Sequence, residues 1–234
     1  MIKTLSVLVV MMSVGCAKTD STDLLTSGIY ADLDARATGD GKTTVYATLY
    51  VDSPTTLNFV ELGSDDKLVA TSGGTTQTMT QSELGNLVSH AASFTGDDAG
   101  TEFDVAFERK VDAGAPSSTI SLPAPFDLDP TPATASRAAA ITITWGPDGT
   151  SDKMLWNATG PCISPATGMA SGDPGTLTIA AATFVKQTGS GIPDSCTLTF
   201  QLLRERTGTL DRHFTRGGSA LGIQERTVTW TSTP

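Results

Sequence analysis

The residues best suited to chemistry in this chain are its arginines, and they are unevenly placed. Five of the eight, Arg204, Arg206, Arg212, Arg216 and Arg226, fall between positions 204 and 226, against three acids there, Glu205, Asp211 and Glu225. A guanidinium offers a planar fork of N–H donors that matches a carboxylate or phosphate with two parallel hydrogen bonds. His213 sits among Asp211, Arg212 and Arg216, with Gly208 and Gly217-Gly218 close by. Arg204, Arg206, Arg212, His213 and Arg216 therefore form the candidate anion-binding group, suited to an acidic glycan, a phosphorylated component or an acidic protein surface. The competing expectation is that these arginines stand on strand exteriors and pair with neighbouring acids or with the acidic first half of the chain.

Other chemistries have less support. The chain has two histidines, His90 and His213, and none of the His-Glu-x-x-His, Gly-x-Ser-x-Gly, Gly-x-x-x-x-Gly-Lys-[Ser/Thr] or Cys-x-x-Cys patterns. No catalytic residue and no cofactor is assigned. His90, in Ser89-His90-Ala91-Ala92, is expected to be solvent-facing or satisfied. The acidic pairs Asp65-Asp66 and Asp97-Asp98, with Asp127 and Asp129, raise calcium, which takes 6 to 8 oxygen ligands. None lies in an Asp-x-Asp-x-Asp-Gly loop, so no metal site is assigned. Tyr30, Tyr46 and Tyr50 suggest either a sugar-stacking stripe or ordinary cross-strand packing.

The N-terminus carries an address. Met1-Ile2-Lys3 is a short, weakly positive segment, Leu5 to Met12 is apolar, and Ser13-Val14-Gly15-Cys16 has the small residues of a processing site. The apolar run is too short to span a bilayer as a helix, so residues 1–15 are expected to be a signal peptide. The residues at the cut resemble the bacterial lipoprotein signal, or lipobox. Gly15 and Val14 fit it, and Ser13 stands where that family usually has Leu. The resemblance implies a diacylated Cys16 and cleavage before it, with three acyl chains in the mature protein, enough for durable attachment. Ala17 follows the cysteine, where Asp would resemble an inner-membrane retention signal, which points to the outer membrane, on its periplasmic face or at the cell surface.

Cysteine arithmetic agrees with this reading. If Cys16 carries lipid, Cys162 and Cys196 remain as an even pair in an oxidising compartment. A Cys162 to Cys196 disulfide is expected, the alternative being two separate buried thiols. Charge divides the chain in two: residues 17–130 hold 18 acidic and 6 basic side chains, residues 131–234 hold 7 and 8. Such an acidic balance disfavours nucleic acid and anionic lipid headgroups as general partners, since both would be repelled.

The elements that must position these groups read as strands. Residues 17–27 are small and polar without period, so residues 16–27 are expected to be a lipidated flexible tether. Ile29, Ala31, Leu33, Ala35 and Ala37 then alternate with Tyr30, Asp32, Asp34 and Arg36. Gly39-Asp40-Gly41-Lys42 makes a turn, and Val45, Ala47, Leu49 and Val51 alternate on the way back, which is a β-hairpin over residues 28–52. Further runs at 57–62, 67–71, 75–79, 101–109 and 118–122 suit strands, and Gln81 to Ala92 suits a short helix. Residues 123–136 carry four prolines and no period, a stiff linker. Beyond it, 141–145, 153–157, 177–179, 196–202 and 226–231 alternate again.

Many short strands punctuated by Gly, Pro and Asp predict an all-β fold, with one β-sandwich over residues 28–122 and a second over 137–234. A Trp on an early strand and a cysteine pair give the second half a resemblance to immunoglobulin-like and fibronectin-type modules. Trp145 and Trp156 precede Cys162 instead of lying between the cysteines, so the resemblance is to the broad class. It implies two antiparallel Ig-like sandwich domains in tandem. The expected function is that of an exported, lipid-anchored cell-envelope protein, attached to the membrane by its N-terminal lipid, without catalysis. Its role would be structural, or the binding of a protein or acidic glycan. The alternative is an enzyme, or enzyme accessory, acting on acidic envelope glycans.

Overall fold

The structure, a computed structural model, describes residues 17–129, 131–146 and 149–234. The expected signal peptide, residues 1–15, and the expected lipid attachment site, Cys16, lie outside the described residues. The fold is all-β. Its strands are β1 (Ala17–Asp20), β2 (Ile29–Ala37), β3 (Lys42–Val51), β4 (Asn58–Glu61), β5 (Lys67–Ser72), β6 (Thr75–Thr78), β7 (Thr80–Leu84), β8 (Leu87–Thr95), β9 (Glu102–Glu108) and β10 (Ala115–Ser121). They continue as β11 (Thr134–Ser136), β12 (Ile141–Thr144), β13 (Lys153–Thr159), β14 (Ala166–Ala170), β15 (Thr176–Ile179), β16 (Cys196–Thr207) and β17 (Gly218–Thr233).

The 28–52 hairpin forms as the alternation requires. β2 and β3 pair antiparallel from Ile29↔Val51 to Ala37↔Thr43, and the odd-numbered residues of both strands face inward. Against them packs the sheet β10-β9-β5-β6, which supplies Phe103, Val105 and Phe107 of β9, Leu68 and Ala70 of β5 and Ile120 of β10. This is the first hydrophobic core. A second gathers Ile141, Ile143, Trp145, Met154, Trp156, Phe184, Leu198, Phe200, Leu202 and Trp230 between the β12-β15 pair and β13, β16 and β17.

One strand joins the cores. The first half of β17 pairs in parallel with β2, from Gly218↔Ala31 to Gln224↔Ala37, while most of its length pairs antiparallel with β16. Sixteen residues at about 3.3 Å each make a strand of roughly 50 Å. The two cores are thus arranged along one axis with a shared sheet. Close approach explains its glycines. A Cβ on Gly222 would lie 2.1 Å from the Ser121 carbonyl oxygen, and one on Gly218, at φ +142°, 1.9 Å from that of Ala31.

Several expectations are corrected. Residues 81–92 form no helix: β7 and β8 make a hairpin from Thr80↔Ala91 to Leu84↔Leu87. Gly85 takes a positive φ in the turn, and Val88, Ala92 and Phe94 face inward with period two. Residues 17–27 are built into the body instead of trailing as a tether. β1 adds in parallel to β4, and the buried Ser21 and Thr26 find polar partners. Ser21 Oγ donates to Asp66 at 2.7 Å, and Asp112 accepts from the Thr26 N–H at 2.6 Å. Arg109 joins them with a 3.0 Å ion pair to Asp66 and a hydrogen bond to the Ser21 carbonyl. A polar segment can be buried when every group meets a partner.

The 123–136 segment is likewise no free spacer. Phe126 enters the second core, and β11 pairs in parallel with the end of β17. Division at that segment also fails to separate the cores by chain order, because Leu210, Phe214 and Ala220 belong to the first.

Candidate functional site

The arginine group does not converge. Arg204 lies on β16 with its side chain wholly buried; its Nη1 donates to the Ala124 carbonyl and its Nη2 to that of Gly146, both at 2.8 Å. Its Nη2 also lies 2.7 Å from Asp173 Oδ2, itself fully buried, and the guanidinium covers the Phe126 ring. Arg206 grips Asp152 with two prongs, 3.0 and 2.7 Å, and donates to the Leu122 carbonyl. Both side chains fasten the 122–126 segment across the junction of the cores. Their forks are spent on protein oxygens.

The remaining members occupy the loop between β16 and β17. Arg212 is exposed, and His213 Nδ1 lies 2.7 Å from Asp211 Oδ1. Burial raises the Asp211 carboxyl, but hydrogen bonds from His213 and from the Ser117 backbone outweigh it and hold the carboxyl below its usual value. Arg212 and His213 line a shallow depression with Leu25, Thr26, Asp112 and Thr215. Arg216 pairs with Asp52 at 2.9 Å and lines the neighbouring one. Arg226 stacks on Phe126 and donates to the Glu225 carbonyl. The group is thus split between an internal clamp and an exposed loop.

The tyrosines are mostly packed. Tyr30 and Tyr50 meet edge to face at 6.3 Å between ring centroids, and Tyr50 rests on Phe59 at 5.1 Å. Tyr46, beside Asp34 in the register, is more open. Among the acidic pairs, Asp66 is taken by Arg109 and Asp65 by Lys110, and Asp97 accepts from the Gly41 N–H. The cysteines are joined as a Cys162–Cys196 disulfide with Cα atoms 5.6 Å apart.

A polar strip on the outer sheet face was not anticipated. Where β2, β17 and β16 meet, Arg36 Nη1 lies 2.9 Å from Glu225 Oε2, and Gln201 donates to Glu225 Oε1 at 2.7 Å. Asp34 flanks Arg36, and burial pushes its carboxyl and that of Glu205 above the usual range. The signal for Asp34 and Arg36 was their place on the outer face of β2. The partner of Arg36, Glu225, lies almost two hundred positions away, which no local pattern reveals.

His90, expected to be solvent-facing or satisfied, is buried and partly satisfied. Its Nε2 meets Gln81 Oε1 at 3.2 Å while Nδ1 finds no partner, and burial lowers its pKa. Above about pH 6.5, the ordinary histidine value, both folded and unfolded chains hold it neutral. As pH falls below that value the unfolded chain gains a proton that the folded one resists, so stability drops until the folded pKa is reached. Compared with His90→Leu, the natural protein should show an extra loss below pH 6.5 that steepens toward about 1.4 kcal/mol per pH unit. Urea unfolding from pH 8 to 5 measures it. Parallel curves for the two proteins would refute the assignment.

No family model and no curated protein matches the chain. Solved structures align with it at low identity and low TM-score. A two-domain fibronectin type III segment from chicken tenascin is 12% identical with a TM-score of 0.26, covering 87% of this chain and 98% of the other. The adhesin InvE of Yersinia pseudotuberculosis is 16% identical with a TM-score of 0.23, covering 87% of this chain and 60% of its own. A cytokine receptor complex is 13% identical at a TM-score of 0.29, covering 83% and 94%. Among the described residues, no helix is long and apolar enough to cross a membrane.

Proposed function

We propose that this is an exported, lipid-anchored protein of the bacterial cell envelope with a structural or binding role and no catalysis. The reading rests chiefly on one observation: a signal-like segment with a lipobox-like Val14-Gly15-Cys16 stands immediately before a disulfide-bonded β-fold. A disulfide suits an oxidising compartment, and attachment through Cys16 gives an otherwise acidic body a membrane address. The outer membrane is the proposed location.

The candidate arginines support a binding role only in part. Arg204 and Arg206 are occupied within the protein, which leaves Arg212, His213 and Arg216 as the residues able to meet an acidic partner. The exposed Arg212 beside a hydrogen-bonded His213–Asp211 pair is what favours the second reading, action on or capture of an acidic envelope glycan. Intact mass of the protein extracted from membranes tests the main reading: Cys16 should carry acyl chains, and Cys16→Ala should leave the protein soluble. An unmodified Cys16 at the membrane would refute it.

A further inference from the structure

Eight large apolar side chains stand exposed among the described residues, and five of them share one end of the first core. The sheet registers place them. Ile29 pairs with Val51, so the turn carrying Leu25, which closes on Gly28, and the turn carrying Leu57, which follows Ser53, sit at the same end of the β2–β3 pair. β8 leaves β3 after His90↔Ala47, where β4 takes over as partner at Tyr50↔Phe59, and the 2.8 Å bridge from Lys18 of β1 to Glu83 keeps the β7–β8 tip, Leu84 to Leu87, beside the β1–β4 pair at the same end. Val111 lies in the β9–β10 loop, whose Asp112 accepts the Thr26 N–H. Leu84, at the hairpin tip, is 80% exposed.

The described chain also enters at this end. Ala17 donates its N–H to the Leu57 carbonyl at 3.3 Å and opposes Asn58 in the register. Cys16 immediately precedes Ala17 in the chain, the first residue of a strand locked into the sheet. Acyl chains on Cys16, sunk in a bilayer, would hold Leu25, Leu57, Leu84, Leu87 and Val111 at the lipid surface, where exposed apolar patches find a partner.

We propose that this end of the first core is a membrane-docking face, seated on the lipid surface by its apolar tips. The proposal rests on the reading of Cys16 as lipidated. The local charges permit it. Lys18 bridges Glu83 at 2.8 Å and Glu61 at 3.3 Å, Arg216 pairs with Asp52, and Lys110 pairs with Asp65, so several of the acids near the tips are paired with cations. A protein partner there would have to fit between the body and the bilayer to which the next residue is fastened. Two consequences follow. β17 carries the second core, with its disulfide, outward from the membrane. Arg212, His213 and Arg216, in the loop that lines depressions with Leu25, face headgroups instead of a soluble glycan.

The test uses the full chain, extracted with its native modification and reconstituted in phosphatidylethanolamine and phosphatidylglycerol vesicles. An environment-sensitive fluorophore is attached at Leu84→Cys, at Val111→Cys, or at Val185→Cys, an exposed position beyond the first core. Intact mass is recorded for each preparation. The expected result is a blue shift, quenching by spin-labelled lipid and loss of quenching by aqueous iodide at 84 and 111, with 185 unchanged. Acylated protein whose three probes all stay in water, or are all quenched alike by lipid, overturns the docking face while leaving the anchor standing. An unmodified Cys16 overturns both.

Discussion

Replacing Arg204 with Met is expected to cost the protein about 3–5 kcal/mol of stability. The side chains of Arg204 and Asp173 are both fully buried, with charged atoms 2.7 Å apart, and Asp173 also accepts the Trp145 indole N–H at 2.6 Å. Removing the guanidinium leaves a carboxylate in the interior without its counter-charge and frees the carbonyls of Ala124 and Gly146. Desolvation already paid by the pair in the natural protein is then uncompensated. Denaturant unfolding gives the loss. Asp173→Asn in the Arg204→Met background should recover part of it, because the orphaned charge goes with it. A single-variant loss below about 1 kcal/mol, the range of surface pairs, would show that water reaches this site.

That arginine also shows where sequence reasoning stops. Its type and neighbours suggested a ligand, since a fork of donors suits carboxylate and carbonyl oxygens equally. The choice between them was made by the chain segment 122–126, which passes over β16 and presents its carbonyls to Arg204 and Arg206. Local features fared better. The 28–52 hairpin was legible because one face is buried and period-two alternation specifies its register. The tether reading failed because Ser21 and Thr26 look unburiable until Asp66, Arg109 and Asp112, 45 to 88 residues away in sequence, supply partners. The helix reading at 81–92 failed because Leu84 and Leu87, three apart, mimic a helical face while flanking a hairpin turn. Nothing local could show that β17 pairs with β2, since parallel partners are joined only through the rest of the chain.

The shared strand determines the outcome of removing the disulfide. Cys162 follows β13 and Cys196 opens β16, so the bond closes a loop of about 35 residues whose loss, by Cys162→Ala with Cys196→Ala, is expected to cost about 3–4 kcal/mol. Arg137 packs against the same place, donating to the Asp194 carbonyl at 2.8 Å and to Ser232 at 3.2 Å on β17. Slackening there acts on the strand that, farther down, pairs with β2 in the first core. The cost should therefore appear as a lower midpoint for the whole molecule. Hydrogen exchange reads this directly: amides of β2 and β3 should lose protection along with those of β13 and β16. Loss confined to β13 and β16, with β2 and β3 at their natural rates, would mean that the cores unfold independently and that β17 breaks near Gln224 before it transmits the loss.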